Sequence, residues 1–165
     1  MTHDQTAGAA VVEAVISRRV PPRHCDAQGM LHASRPAEYL EDAFLAWLDE
    51  ACGGYPALRA AAVDLVIAET TITYRRPIRL DEQLTVRVTP VERGTTSLRV
   101  RFDLHTAGSG SGGPCVTATT TYVCVAASGP TTFPPPLARA LGNVPERTRP
   151  NAPANSGGPC DETPH

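Results

Sequence analysis

Hydrophobic positions along the chain follow two periods, and the change between them falls at a pair of glycines. From Pro36 onward, Ala37, Leu40, Phe44, Trp47, Leu48 and Ala51 recur at helical spacing, while Glu38, Glu41, Asp42, Asp49 and Glu50 lie mostly on other faces. Pro36 suits a first helical turn, where its missing N–H has no partner to lose, and Gly53-Gly54 marks the stop. This predicts one amphipathic helix of about four turns. Beyond it the period becomes two. Val63 to Tyr74 is rich in Val, Ile and Thr; Leu84, Val86 and Val88 alternate with Thr85, Arg87 and Thr89; Leu98, Val100, Phe102 and Leu104 alternate with Arg99, Arg101, Asp103 and His105. Val116 to Ala126 reads as a last strand, and Val11 to Val20 as a first one ending at Pro21-Pro22. Turns at Leu80-Asp81-Glu82, at Arg93-Gly94-Thr95 and from Ala107 to Pro114 leave no room for crossover helices, so the strands should pair antiparallel. The expected fold class is α+β: five or six strands with the long helix covering one face.

The 165 residues suit one domain. From Asn143 the chain is dense in Pro, Asn, Gly and charge, with little that is apolar to bury. The expected division is therefore a folded unit over residues 1–142 and a disordered tail over 143–165.

Charge narrows the chemistry. The chain has 15 basic and 17 acidic residues, and every basic one is Arg. Without lysine there can be no Schiff-base amine, pyridoxal-phosphate anchor or P-loop lysine. The near-neutral balance speaks against a nucleic-acid partner, whose phosphates demand a clustered cationic surface. The N-terminal stretch is a poor signal peptide, and no apolar run approaches the roughly 18 residues of a membrane span. Cys25, Cys52, Cys115, Cys124 and Cys160 form no Cys-x-x-Cys pair, so neither a disulfide framework nor a structural metal site is expected. A reducing cytoplasm fits best.

Two motifs fail on context. Gly108, Gly110 and Gly113 spell Gly-x-Gly-x-x-Gly, but Pro114 and a strand follow where a dinucleotide site needs a helix N-terminus. His24, Cys25 and Asp26 hold the ingredients of a cysteine nucleophile, yet consecutive residues of an extended chain point apart. His3, His105 and His165 lack metal-ligand spacing.

What remains is Asp26, with Gly29 and His32 after it and the helix close behind. A carboxylate before a helix N-terminus can act as base or nucleophile, and nearby N–H groups can hold an oxyanion. The residues equally allow that Asp26 merely caps a turn.

Asp26-x-x-Gly29, then Arg35 and Tyr39-Leu40-Glu41-Asp42-Ala43, resembles the N-terminal signature of hotdog-fold thioesterases of the 4-hydroxybenzoyl-CoA thioesterase class, and aligns with it without a gap. Tyr74, Pro77 and Asp81-Glu82 resemble that family's central strand and the acidic turn after it, and Ser97 stands at its usual serine position. The resemblance spans roughly Val11 to Leu141. Three departures stand out: His32 and Ala33 replace two asparagines, Pro36 replaces a tyrosine, and His32-Ala33-Ser34 sits one residue earlier than in members sharing that triplet.

The resemblance implies an antiparallel sheet wrapped around one long central helix, joined edge to edge into homodimers or homotetramers with active sites at the dimer interface. Asp26 would attack the thioester carbonyl or activate water, with Gly29 counted among the site residues. Amides around His32 and Ala33 would polarise the carbonyl, and His32 itself could orient the thioester. Arg93, Thr95, Thr96 and Ser97 would hold coenzyme A phosphates, which suits guanidinium and hydroxyl donors. No separate cofactor is expected, since coenzyme A or phosphopantetheine arrives as part of the substrate. That substrate would be an acyl-CoA or an acyl carrier protein thioester, the latter in polyketide or other specialised metabolism. A non-hydrolytic acyl-thioester-binding module and a dehydratase of 3-hydroxyacyl thioesters are the alternatives.

Overall fold

The computed structural model describes residues 14–109 and 112–147. Strand β1 (Ala14–Arg19) leads through a short 3-10 turn at Pro22–His24 to helix α1 (Pro36–Cys52). Then come α2 (Gly54–Ala60), β2 (Asp64–Tyr74), β3 (Gln83–Arg93), β4 (Ser97–Thr106), β5 (Val116–Ala126), β6 (Gly129–Pro130) and α3 (Pro135–Ala140). One antiparallel sheet runs in the order β1-β3-β4-β5-β2, with the short β6 also on β5. The chain thus has the α+β architecture expected, with β1 and β2 as its outer strands.

Helix α1 starts with Pro36 in its first turn and ends where Gly53 takes the left-handed conformation, φ 84°, its N–H reaching the carbonyls of Asp49 and Leu48. Its buried stripe is Tyr39, Leu40, Ala43, Phe44, Trp47 and Leu48, packed on β1 and β3. The stripe is rotated from the one expected, because Ala37 is exposed and Tyr39 is buried. Phe44 stacks on Tyr122 of β5, with ring centroids 3.9 Å apart. Trp47, Leu48, Leu84, Leu98, Phe102 and Leu104 have no exposed surface. Each such large side chain stabilises the fold by about 1.5–3 kcal/mol.

Several elements differ from the sequence reading. Of the expected first strand, Val11 to Glu13 lies outside the described residues. Helices α2 and α3 were not expected, since seven and six residues are too few to show a helical period. Strand β3 extends to Arg93 through a register shift between Pro90 and Glu92, where proline cannot donate to the ladder. The packed unit also runs past residue 142. Val144 is 2% exposed, and Arg93 N–H donates to the Pro145 carbonyl at 2.8 Å. The remainder of the expected tail, residues 148–165, lies outside the described residues.

Candidate active site

The segment between β1 and α1 is a small hairpin sewn onto the β2–β3 connection. Asp26 N–H donates to the Met30 carbonyl at 2.8 Å, and Gly29 N–H to the Asp26 carbonyl at 3.0 Å. Gly29 sits at φ 73°, the left-handed position that a three-residue hairpin loop requires and that glycine adopts without Cβ strain. On the far side, Leu31 N–H donates to the Ile78 carbonyl (2.7 Å) and Leu80 N–H to that of Gly29 (2.9 Å). The loop is thereby bonded along both edges.

Asp26 uses one carboxylate oxygen structurally. Its Oδ1 accepts the N–H groups of Gln28 (2.8 Å) and Met30 (3.1 Å). Its Oδ2 carries no hydrogen bond among the described residues, and the side chain stands at the surface. Oδ1 thus fixes the direction of the carboxylate, and Oδ2 is left without a partner among the described residues.

The hydrogen bonds of the His32 ring go to Ser34. His32 Nδ1 lies 2.8 Å from Ser34 Oγ and accepts Ser34 N–H at 3.3 Å. A nitrogen that accepts a backbone N–H is bare, so the ring proton of the neutral form sits on Nε2. The His32 amide, proposed from the sequence as an oxyanion donor, already donates to the His24 carbonyl at 2.9 Å. The Ala33 amide makes no hydrogen bond among the described residues, so it remains a candidate, and the Ala33 carbonyl accepts the Tyr74 hydroxyl.

His24 has a role the sequence did not suggest. Its Nδ1 is 2.8 Å from the Tyr39 hydroxyl and its Nε2 is 3.6 Å from Glu38 Oε2, while Arg35 pairs with the other Glu38 oxygen. The carboxylate favours a proton on Nε2, which leaves Nδ1 to accept from Tyr39. Burial pushes the Tyr39 hydroxyl above its usual range, with Glu38 adding to the effect, so it stays protonated as a donor. Cys25 is no partner to this ring: its Sγ lies 3.7 Å from the Pro21 carbonyl. Burial first, then the charges of Asp26 and Asp81, raise the Cys25 thiol and keep it neutral.

A cavity of about 270 Å³ opens beside the loop, walled by Leu31, Pro36, Tyr74, Arg76, Pro77 and Ile78. A second, of about 470 Å³, lies between α1 and β2 and includes Phe44, Leu45, Tyr55 and Ile67. Arg93, Thr95, Thr96 and Ser97 do come together, lining a groove of about 710 Å³ at the β3–β4 turn. Arg93 is not open there, however. Its guanidinium bonds Glu146 at 2.8 Å and the Val144 carbonyl at 3.2 Å.

The tempting motifs stay silent. Gly108 lies in a 3-10 turn and β5 follows at Val116, so no helix N-terminus forms there; Gly110 is outside the described residues. Among the described residues there is no metal-type cluster of His, Cys, Asp or Glu, and no helix long and apolar enough to cross a membrane. Among the described residues no disulfide joins Cys25, Cys52, Cys115 or Cys124. His3, His165 and Cys160 lie outside the described residues.

Comparison with known proteins agrees with this architecture. A hypothetical protein from Thermus thermophilus superposes with TM-score 0.70 at 26% identity, covering 78% of this chain and 97% of that one. A 1,4-dihydroxy-2-naphthoyl-CoA thioesterase from Synechocystis gives TM-score 0.70 at 17% identity, covering 79% and 96%. A hypothetical protein from Staphylococcus aureus, solved in complex with CoA, gives 0.72 at 15%, covering 84% and 90%. No curated protein shows significant sequence similarity to the chain. The family model described as the thioesterase-like superfamily matches residues 20–141. With its antiparallel sheet curled about one long helix in the hotdog manner of these neighbours, the chain belongs to the thioesterase-like superfamily.

Proposed function

We propose that the protein is a thioester hydrolase acting on an acyl-CoA or an acyl carrier protein thioester, with Asp26 as general base or nucleophile. The observation that carries this reading is the divided carboxylate. Two backbone amides hold Oδ1, so Oδ2 is aimed without costing the side chain further rotamer freedom on substrate binding. Leu31, Pro36, Pro77 and Ile78 give the adjoining cavity apolar walls that suit an acyl group. Of the amides of His32 and Ala33, that of Ala33 makes no hydrogen bond among the described residues and would serve as a donor to the carbonyl oxygen. The solved neighbours add the class of chemistry: one is named a CoA thioesterase and another was solved with CoA.

Assembly belongs to the same proposal. Strand β2 ends the sheet and its outer edge is unpaired among the described residues, with Val66 43% and Ile67 62% exposed. An apolar, unpaired edge is a template for a second strand, and a second copy pairing along β2 would form a homodimer. Cytoplasmic placement accords with the lack of a disulfide among the described cysteines.

The dehydratase alternative pairs an aspartate with a histidine. Here the His32 ring nitrogen Nδ1 is engaged by Ser34, and enoyl product is what would distinguish that reading. The test is a panel of acyl-CoA and acyl-carrier thioesters, scored for free thiol and for enoyl product. Thiol release by wild type and its loss in Asp26→Ala is the expected result. Equal rates in both proteins would remove Asp26 from the mechanism, and intact thioester bound without turnover would identify a binding module.

A further inference from the structure

Among the described residues β1 pairs with β3 as far as Val88, and Arg93 at the end of β3 has its outer edge turned to another segment. That segment is residues 144–147. Glu146 forms a parallel bridge with Arg93; Arg93 N–H donates to the Pro145 carbonyl at 2.8 Å, and Arg147 N–H to the Arg93 carbonyl at 2.7 Å. Buried Val144 pins the segment. This strand-like piece lies beyond residue 141, where the superfamily match ends. It also changes the electrostatics of the groove at the β3–β4 turn. Arg93 and Glu146 neutralise one another at 2.8 Å, and Glu92 meets Arg99 at 3.9 Å. Arg147 lines the groove, is exposed, and has no ion pair among the described residues. Thr95, Thr96 and Ser97 line the same space.

We propose that Arg147, supplied by this C-terminal segment, is the cation that grips the phosphate groups of the substrate's carrier arm in this groove, and that Arg93 instead anchors the segment. The proposal rests on the thioester reading above. The chemistry recognised is a phosphate ester. A guanidinium with hydroxyl groups nearby suits its oxygens, and the Glu146 carboxylate that would repel it is cancelled by Arg93. Two sources offer that group: the nucleotide end of free coenzyme A, and the single phosphate of a carrier's phosphopantetheine.

Calorimetric binding of CoA, dephospho-CoA, phosphopantetheine and pantetheine to wild type, Arg147→Ala and Arg147→Lys tests it. Alanine keeps the backbone N–H that bonds Arg93, so the segment stays docked. Loss of one charged hydrogen-bond donor should weaken CoA about tenfold in Arg147→Ala, less in Arg147→Lys, and leave pantetheine unchanged. A loss persisting with phosphopantetheine points to the carrier phosphate; a loss confined to CoA points to the nucleotide end. Undiminished CoA binding by Arg147→Ala overturns the assignment, as does failure of wild type to bind CoA or phosphopantetheine. Turnover of acyl-CoA and acyl carrier protein thioesters by the same preparations separates the two claims. Binding lost in Arg147→Ala with no hydrolysis by wild type upholds the grip and sinks the catalytic reading, whereas hydrolysis with unchanged binding does the reverse.

Discussion

The imidazole of His24 and the hydroxyl of Tyr39 meet at 2.8 Å, joining the loop that carries Asp26 to the buried face of α1. Fifteen residues separate them in sequence, and the rings also pack edge to face at 5.6 Å. With Glu38 on the other ring nitrogen, His24 clamps the start of the loop. Tyr39→Phe and His24→Ala should each destabilise the protein by about 1 kcal/mol, the net worth of a hydrogen bond. A double-mutant cycle in urea should show a coupling of about 0.5–1.5 kcal/mol. Purely additive effects would mean the contact contributes nothing.

Asp26→Asn keeps an oxygen able to accept the amides of Gln28 and Met30 while removing the charge. It should fold like wild type and lose about 10²- to 10⁴-fold in kcat, the range of a lost general base. Thiol release at saturating substrate, beside a thermal melt, reads both quantities. Retained activity would transfer the chemistry to another group.

At Gly29 a methyl group would meet nothing within 4 Å, yet φ is +73°. Gly29→Ala should therefore cost about 1 kcal/mol through backbone conformation alone. A loss several-fold larger in urea unfolding would show that the loop is packed more tightly than it stands here.

Cys25 should react slowly with iodoacetamide at mildly alkaline pH, because burial and the charges of Asp26 and Asp81 hold its thiol above the usual range. The reactive species is the thiolate, so removing one of those charges should accelerate labelling. Peptide mass spectrometry comparing wild type with Asp26→Asn checks this, and a slower variant would contradict the electrostatic account.

Placing a charge on the outer strand should break the proposed dimer. Ile67→Lys alters an exposed side chain, so the monomer's fold should survive while sedimentation velocity shows a smaller species. An unchanged mass at micromolar protein would mean that β2 is not the contact.

Much of the architecture was legible because it is periodic. The spacing of Leu40, Phe44, Trp47 and Leu48 announces α1, and alternation from Leu84 to Val88 and from Leu98 to Leu104 announces β3 and β4, since one-sided burial imposes the element's own period on the sequence. Asp26 and Gly29 were legible as site candidates, while the left-handed conformation of Gly29 and the two amides on Asp26 Oδ1 came from the structure. What the sequence could not show is how donors are shared out. The amide of His32 is spent on His24, the ring of His32 on Ser34, and the guanidinium of Arg93 on Glu146. None of these assignments has a period, because each depends on which distant backbone arrives first within about 3 Å of a donor. Local patterning determined the helix, the strands and the turn that aims Asp26. Only the tertiary structure decided which of the nearby polar groups remain open for a substrate, since a hydrogen-bond donor used inside the fold is no longer available outside it.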